Sequence, residues 1–178
     1  MLDPIEQISR LLPHAYRTAL TRLTDQERSQ AAEIRLRQGC AATVVIGTRE
    51  AALPMTNCEL VTDQTIQYIM NCATEYSAYS ASNEIAEGFL TVRGGHRIGI
   101  CGTAVMERGS IVPIRDLSSL CIRIARPVMH IGDELAARLA ERPGSALIIG
   151  PPGCGKTTLL RDTVRLLSDL YDWRVCVV

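Results

Sequence analysis

Apolar residues recur at helical spacing over the first thirty residues of the chain. One group precedes Pro13 and a second follows it, and each places its apolar side chains on one helix face. We therefore expect two helices separated near Pro13, and a short third helix that is capped by Thr24 or Asp25 and ends at Gln30. The apolar positions are Ile5, Ile8, Leu11, Leu12, Ala15, Ala19, Leu20 and Leu23.

The pattern changes to a period of two after residue 32. Charged and apolar side chains alternate over residues 33–37, which predicts a half-buried strand that ends at Gly39. Gly94 and Gly95 favour a tight hairpin turn between two later strands. The other elements predicted here are a strand at 43–46, loose polar sequence around Pro54 and Asn57, a helix that starts at Thr62 and Asp63, a helical piece at 81–87, strands at 88–92, 97–101, 110–114 and 120–125, and a linker at 127–132.

A strand buried on both faces is predicted at residues 146–149, where four apolar residues follow one another. A glycine-rich turn, a helix at 156–169 and a second buried strand at 174–178 come next. Strand, loop, helix and strand in this order open a parallel α/β domain. The apolar face of the predicted helix consists of Leu160, Val164 and Leu167.

These elements together predict an α/β fold with two domains. An amino-terminal α/β domain is expected at residues 1–130, and the start of a P-loop domain with an incomplete parallel sheet at residues 131–178. A helix at 133–141 is expected to open the second domain.

The charges of the chain cancel, which argues against nucleic acid as a direct partner. Nineteen basic and nineteen acidic residues give a formal net charge of zero, and aromatic residues make up 4% of the 178 residues. There is thus no field that draws the chain onto phosphates, and few rings on which bases can stack. The amino terminus lacks a signal-peptide pattern, and no apolar run approaches the roughly 20 residues that span a bilayer. We expect a cytoplasmic protein that meets membranes only through partner proteins.

Seven cysteines are scattered along the chain, with no C-x-x-C pair. The histidines His14, His96 and His130 are too dispersed to argue for a metal site. This usage favours reduced thiols in a cytosolic protein over the alternative, a disulfide or zinc framework.

Residues 150–157 read GPPGCGKT and match the phosphate-binding pattern G-x-x-x-x-G-K-[ST] at every fixed position. The glycines let the backbone curl around a phosphate, so that N–H groups and the positive end of the following helix face it. Lys156 is expected to reach the β- and γ-phosphates of ATP, Thr157 to hold Mg²⁺, and Thr158 to close the loop near the α-phosphate. The predicted nucleotide-binding residues are Gly150, Pro151, Pro152, Gly153, Cys154, Gly155, Lys156, Thr157 and Thr158.

Each of these assignments has a structural alternative. The motif can be a glycine turn beside a helix that starts with lysine, although its place between an apolar strand and an amphipathic helix favours nucleotide binding. Arg97 belongs either to a tight hairpin or to a surface that faces a nucleotide or a neighbouring subunit. Arg123 and Arg126 either reach phosphate as finger-like groups or are solvated or ion-paired. Arg161 and Arg165, one helical turn apart, are interpreted as a solvated helix face.

Four blocks in this order resemble the stage III sporulation protein AA family of endospore-forming bacteria. They are AEIRLRQG at 32–39, GGHRIGICG at 94–102, SSLCIRIAR at 118–126 and PPGCGKTTLLRD at 151–162. The resemblance covers the chain from about Leu11 to its end, and the family is itself similar to the ATPases of type II and type IV secretion systems. It implies an α/β amino-terminal domain joined to a RecA-like ATPase core. It also implies a cytosolic homo-oligomer, a hexamer, that acts from the mother cell on membrane channel proteins leading to the forespore.

ATP hydrolysis requires more than the phosphate loop. An acidic residue on a later strand must hold Mg²⁺, and another group must orient the attacking water. The resemblance implies that family members continue through this acidic strand, whereas this sequence ends at Val178. We therefore expect the chain to bind ATP without hydrolysing it alone, and to leave the apolar faces of residues 146–149 and 175–178 uncovered. The alternatives are a nucleotide-gated scaffold or assembly subunit without turnover, and a DNA-handling RecA-like ATPase, which the zero net charge disfavours.

Overall fold

The chain folds into two compact units of α/β and helical character. The computed structural model describes residues 3–57, 59–75, 82–107, 110–126 and 128–176. We call Met1–Ala125 the sheet unit and Arg126–Val178 the helical unit. Helices and strands both occur, so the predicted α/β class is confirmed.

The described residues of the sheet unit form five helices and six strands. Most of its helices precede or interrupt the sheet, and its two longest strands form the last hairpin. The elements are α1 Pro4–Ser9, α2 His14–Thr21, α3 Asp25–Gln30, β1 Ala31–Arg37, β2 Thr43–Ile46, β3 Arg49–Ala52, α4 Asp63–Ala73, α5 Ser82–Ala86, β4 Phe89–Val92, β5 His96–Glu107 and β6 Ser110–Arg123.

The six strands form one antiparallel sheet in the order β3-β2-β1-β6-β5-β4. A row of apolar residues crosses five of these strands at matching registers, and every member of the row is buried. The helices supply the other side chains of the same core. One face of the sheet is therefore covered, while the alternate positions on the strands carry polar and charged residues. The apolar row consists of Val44, Ile34, Ile122, Ile98 and Leu90.

Local capping signals start two helices where the sequence predicts them. The Thr24 hydroxyl accepts the N–H of Glu27 at 3.2 Å, and the Glu27 carboxylate accepts the N–H of Thr24 at 3.0 Å. This reciprocal capping box satisfies two N–H groups that a helix start leaves without partners. Thr62 accepts the N–H of Thr65 in the same way at the start of α4. Both predicted helix starts are confirmed.

The strands of the sheet unit differ from the prediction at two places. The sequence around Pro54 and Asn57 is loose as expected, but no strand was predicted before it, and Arg49–Ala52 pairs along its length with β2. Its side chains are largely exposed, so no apolar alternation marks this edge strand. The strands expected at 110–114 and 120–125 form the single strand Ser110–Arg123, because its pairing with β5 continues through local register shifts.

The helical unit contains α6 Asp133–Glu141 and α7 Lys156–Asp169, and both helices have the predicted bounds. They pack through a small core of Ala136, Leu166 and Leu167, with Trp173 against it. The predicted apolar face of α7 is partly wrong, because Leu160 is 48% exposed. The helix is rotated so that two polar residues, Asp162 and Thr163, lie on its buried side.

The predicted parallel sheet of this unit is not formed by the described residues. Residues 146–149 and 174–176 have no strand partner, and residues 177 and 178 lie outside the described part. A strand requires a neighbour that accepts and donates its ladder hydrogen bonds, and neither segment supplies one to the other. Leu147 and Ile149 are 82% and 84% exposed, which confirms the expectation of uncovered apolar side chains at 146–149.

We predict that Ile122→Ala destabilises the sheet unit by about 2–5 kcal/mol, because Ile122 is fully buried in the middle of the sheet and its truncation leaves a cavity. Chemical unfolding followed by far-UV circular dichroism measures the change. The matched control is Val45→Ala, since Val45 is only half-buried on the opposite face of β2. An equal loss in both variants would contradict the one-sided core.

A glycine-rich loop at the start of helix α7

The loop of residues 150–155 turns sharply into helix α7, and its glycines permit the turn. Gly153 and Gly155 have φ angles of +78° and +89°, which side chains other than glycine adopt only with strain. A Cβ atom at Gly150 would lie 2.7 Å from the thiol sulfur of Cys154, so a larger residue there would displace that side chain. Two glycines of the predicted motif, Gly153 and Gly155, are thus required by the backbone itself.

Lys156 is the only lysine among the nineteen basic residues of the chain. Its ammonium group folds back into the loop and donates to the carbonyl oxygens of Gly150 at 2.8 Å and Pro151 at 2.7 Å. The Cys154 sulfur, a weak acceptor, lies 3.7 Å from the same nitrogen. Because an ammonium has three donors, one N–H of Lys156 is left for a stronger acceptor.

Helix α7 begins in the loop with its first N–H groups uncapped by a side chain. The N-cap residue is Gly155, which offers no side-chain acceptor. The first turn therefore presents backbone donors and the positive end of a helix of 14 residues. Thr157 is exposed in this turn and Thr158 is half-buried. The structure brings the predicted phosphate-binding residues together at one helix end.

A buried carboxylate one turn further along α7 was missed by the sequence analysis. The Asp162 side chain is 1% exposed, and it accepts the N–H of Gly132 at 2.9 Å. It also pairs with Arg165, whose Nε and Nη2 atoms lie 3.0 and 2.7 Å from the second carboxylate oxygen. These bonds, the one from Gly132 first, hold the pKa of Asp162 below its usual value. The solvated role predicted for Arg165 is therefore wrong.

Gly132 approaches α7 more closely than any other residue type would allow. A Cβ atom there would lie 2.6 Å from the backbone nitrogen of Thr163 and 2.8 Å from its hydroxyl oxygen. Gly132 is also the N-cap of α6 and has no side chain with which to cap it. Asp162 supplies that cap from the neighbouring helix. We call this contact between Asp162 and Gly132 the carboxylate latch.

The three candidate arginines fall in both units. Arg97 and Arg123 are paired across β5 and β6 on the exposed face of the sheet. The Arg97 guanidinium stacks over the Phe89 ring at 3.9 Å, and Arg123 lies 3.7 Å from a Glu33 carboxylate oxygen. Arg97 thus lies in the predicted hairpin. Arg123 is ion-paired, which is one of the alternatives predicted for it. Arg126 belongs to the helical unit.

The described cysteines are free thiols in different environments. Burial and the neighbouring Glu33 carboxylate raise the pKa of Cys121 to about 12, whereas Cys154 is exposed in the loop. Among the described residues no group of three histidine, cysteine or acidic side chains is arranged to hold a metal ion. The same residues include no helix with the length and apolar character that a bilayer crossing needs.

The chain is similar in sequence to proteins of bacterial sporulation. The family model described as "Sporulation stage III, protein AA" matches residues 3–177. Stage III sporulation protein AA of Bacillus subtilis (strain 168) is 33% identical over 165 residues, which are 92% of this chain and 52% of that protein. The chain therefore spans about half the length of this curated relative.

Two solved ATPase structures resemble the chain at low sequence identity. The pilus retraction motor PilT, solved with bound ADP, shares 19% identity over 96% of this chain and 44% of its own, at a TM-score of 0.48. The ATPase DotB of Legionella pneumophila shares 18% identity over the same shares of the two chains, at a TM-score of 0.46.

We predict that Cys154 reacts with iodoacetamide faster than Cys121, and that saturating ATP slows the reaction of Cys154. Cys154 is exposed inside the loop, while the thiol of Cys121 has its pKa raised to about 12. Peptide mass spectrometry after short labelling times measures both rates in one sample, so Cys121 serves as the internal control. An unchanged rate at Cys154 with ATP present would show that nucleotide does not cover the loop.

We predict that Asp162→Asn destabilises the helical unit at neutral pH, and that this difference disappears in acid. Because the pKa of Asp162 is lowered by folding, its stabilising effect is present above the unfolded value of about 3.9 and is lost as pH falls through the folded value. Trp173, the only tryptophan, packs in the helical unit and reports its thermal unfolding by fluorescence.

The matched control is Asp169→Asn, which removes an exposed carboxylate 3.6 Å from the same Arg165. We expect its melting temperature to stay close to the wild-type value across the pH range. A loss in Asp162→Asn that is equally large at pH 3 and pH 7 would show that the ionised carboxylate is not the stabilising group.

Proposed function

We propose that this chain, which belongs to the stage III sporulation protein AA family, binds ATP together with Mg²⁺ through residues 150–158. The observation that carries the proposal is the position of Lys156. The only lysine of the chain is held by two backbone carbonyls at the centre of a glycine loop, and its third ammonium donor has only the weak acceptor Cys154 nearby. A phosphate oxygen is the acceptor that this donor and the adjacent helix end fit best.

The phosphates would be bound mainly by the backbone. The N–H groups of the first turn of α7 and of the loop would donate to the β- and γ-phosphates, because Gly153 and Gly155 allow the chain to curl there. Lys156 would add a charge-assisted bond and partly neutralise the phosphates. The half-buried Thr158 would close the loop on the α-phosphate side.

The Thr157 hydroxyl fits a Mg²⁺ ion that accompanies the nucleotide. It is exposed in the first turn of α7, and hydroxyl oxygen is a hard donor of the kind Mg²⁺ prefers. A Mg²⁺ ion held by Thr157 would supply positive charge that partly neutralises the phosphates.

The wider role of the protein is proposed from its family. We propose that the protein acts from the cytoplasm of the mother cell as an ATPase that energises a sporulation-specific membrane channel complex, and that it forms a homo-oligomer. The phosphate loop supplies the nucleotide-binding part of that activity. Hydrolysis would also require the acidic metal ligand and the water-orienting group that every P-loop enzyme needs.

We predict that Lys156→Ala weakens ATP binding at least tenfold, because it removes a charge-assisted hydrogen bond worth about 1.5–3 kcal/mol. Isothermal titration calorimetry in the presence of Mg²⁺ measures the affinity. The matched control is Arg138→Ala, since the exposed Arg138 pairs with the exposed Glu134 on α6, away from the loop. ATP binding of equal strength in wild type and Lys156→Ala would sink the proposal.

Chemical labelling gives a second readout that does not require a mutation. Lys156 carries the only side-chain amine, so acetic anhydride modifies this residue and the α-amino group alone among the amines of the chain. Bound ATP is expected to protect Lys156 and leave the α-amino group reactive. If ATP protected both amines, or neither of them, the result would argue against a nucleotide in the loop.

A further inference from the structure

A cleft of about 230 Å³ lies in the helical unit beside the phosphate loop. One wall is the first three turns of α7, with Thr158, Arg161, Asp162 and Arg165. The other wall is the segment that leads to α6, with Arg126, Val128 and Met129. Thr158 is also the residue expected at the α-phosphate, so the cleft continues from the place where the phosphate chain would end. Its volume suits a nucleoside better than another phosphate group.

The chemistry of the two walls differs in a way that fits a flat aromatic ring. Val128 and Met129 are 51% and 40% exposed, so the segment presents apolar surface to solvent. Arg161 is exposed on α7 and has no hydrogen bond or ion pair among the described residues. A planar guanidinium stacks well on a ring face, and the apolar side chains can cover the opposite face. Arg161 was predicted to lie on a solvated helix face. It is exposed as predicted, but it also lines this cleft.

The carboxylate latch fixes the distance between the two walls. Asp162 lies next to Arg161 on α7 and holds the N–H of Gly132, three residues after Met129. Gly132 lies so close to α7 that a Cβ atom there would be 2.6 Å from the backbone nitrogen of Thr163. The cleft is thus built in advance of any ligand, which lowers the entropic cost of binding.

We propose that this cleft holds the base and ribose of the bound nucleotide, with Arg161 stacked on the base. The inference rests on the proposed function, since it places the nucleoside of the nucleotide whose phosphates occupy the loop. Arg161 recognises the face of the base, and Val128 and Met129 exclude water from its other side.

This recognition does not favour adenine over guanine. The carboxylate of Asp162 would be the natural acceptor for the 6-amino group of adenine, but its side chain is only 1% exposed and already accepts bonds from the Gly132 N–H and Arg165. Strong discrimination between bases requires hydrogen bonds that only one of them satisfies. We therefore expect GTP to bind within about tenfold of ATP.

The test compares ATP, GTP and inorganic tripolyphosphate, each with Mg²⁺, by calorimetry on the full 178-residue chain. Arg161→Lys keeps the charge and removes the planar stacking group, whereas Arg161→Ala removes both. Met129→Ser removes apolar wall without changing charge. Both positions are exposed, so the three variants are expected to fold, and Arg138→Ala is the control for loss of an exposed arginine.

We expect ATP to bind wild type at least tenfold more tightly than tripolyphosphate, because stacking of a base adds affinity of about this size. Arg161→Ala should weaken ATP about tenfold, and Arg161→Lys and Met129→Ser at least about threefold. Tripolyphosphate binding should stay within about twofold of wild type in Arg161→Lys and Met129→Ser, because their charge is unchanged.

Other outcomes separate this inference from the proposed function. Equal losses of ATP and tripolyphosphate binding in the Arg161 variants would make Arg161 a phosphate contact and overturn the nucleoside cleft. Unchanged ATP binding in these variants, or GTP binding more than a hundredfold weaker than ATP, would also overturn it. Absence of both ATP and tripolyphosphate binding in wild type would instead reject the phosphate loop.

Discussion

The buried carboxylate of Asp162 is the contact on which the helical unit depends. Helix α6 starts at a glycine that has no side chain to cap it, and Asp162 reaches across from α7 to accept the Gly132 N–H. Its negative charge also interacts favourably with the positive end of α6, and Arg165 compensates that charge through a hydrogen bond to the carboxylate. One side chain thereby caps one helix, orients another and brings their backbones into contact at Gly132.

The phosphate loop depends on this contact because it has little packing of its own. Its residues are exposed, and the bonds that shape it run mainly from Lys156 to two carbonyls at the beginning of the loop. The segment before it, residues 146–149, is not held in a sheet, so the loop is positioned chiefly from its α7 end. The direction of α7 in turn is set by Asp162 and by the small core around Leu166 and Trp173. The carboxylate latch therefore positions helix α7, and helix α7 positions the phosphate loop.

Local signals in the sequence predicted local structure well. The caps at Thr24 and Thr62 follow from side chains within one turn of each helix start, and the bounds of α6 and α7 follow from the helical pattern of their own residues. The phosphate-loop pattern is also local, since its glycines and Lys156 lie within eight residues.

Features that depend on distant partners were missed. The edge strand Arg49–Ala52 is defined by the backbone of β2 and not by its own exposed side chains. Asp162 appears in the sequence as one more acidic residue of an amphipathic helix, because its partner lies thirty residues earlier. The parallel sheet was predicted from two apolar segments, but apolar character alone does not provide a strand with a neighbour.

The chain has one lysine and eighteen arginines, and this choice follows from what each site requires of its cation. Arg97, Arg123 and Arg165 contact a ring or a carboxylate, which suit a planar guanidinium. The loop offers two carbonyl oxygens in a narrow turn closed by Gly150 and Cys154, and there a compact ammonium can satisfy both and still turn a third donor toward a ligand. An arginine would bring five donors in a rigid fork and fill the space that a phosphate needs. The position of the single lysine thus reflects the geometry of the loop, independently of the motif in which it was first recognised.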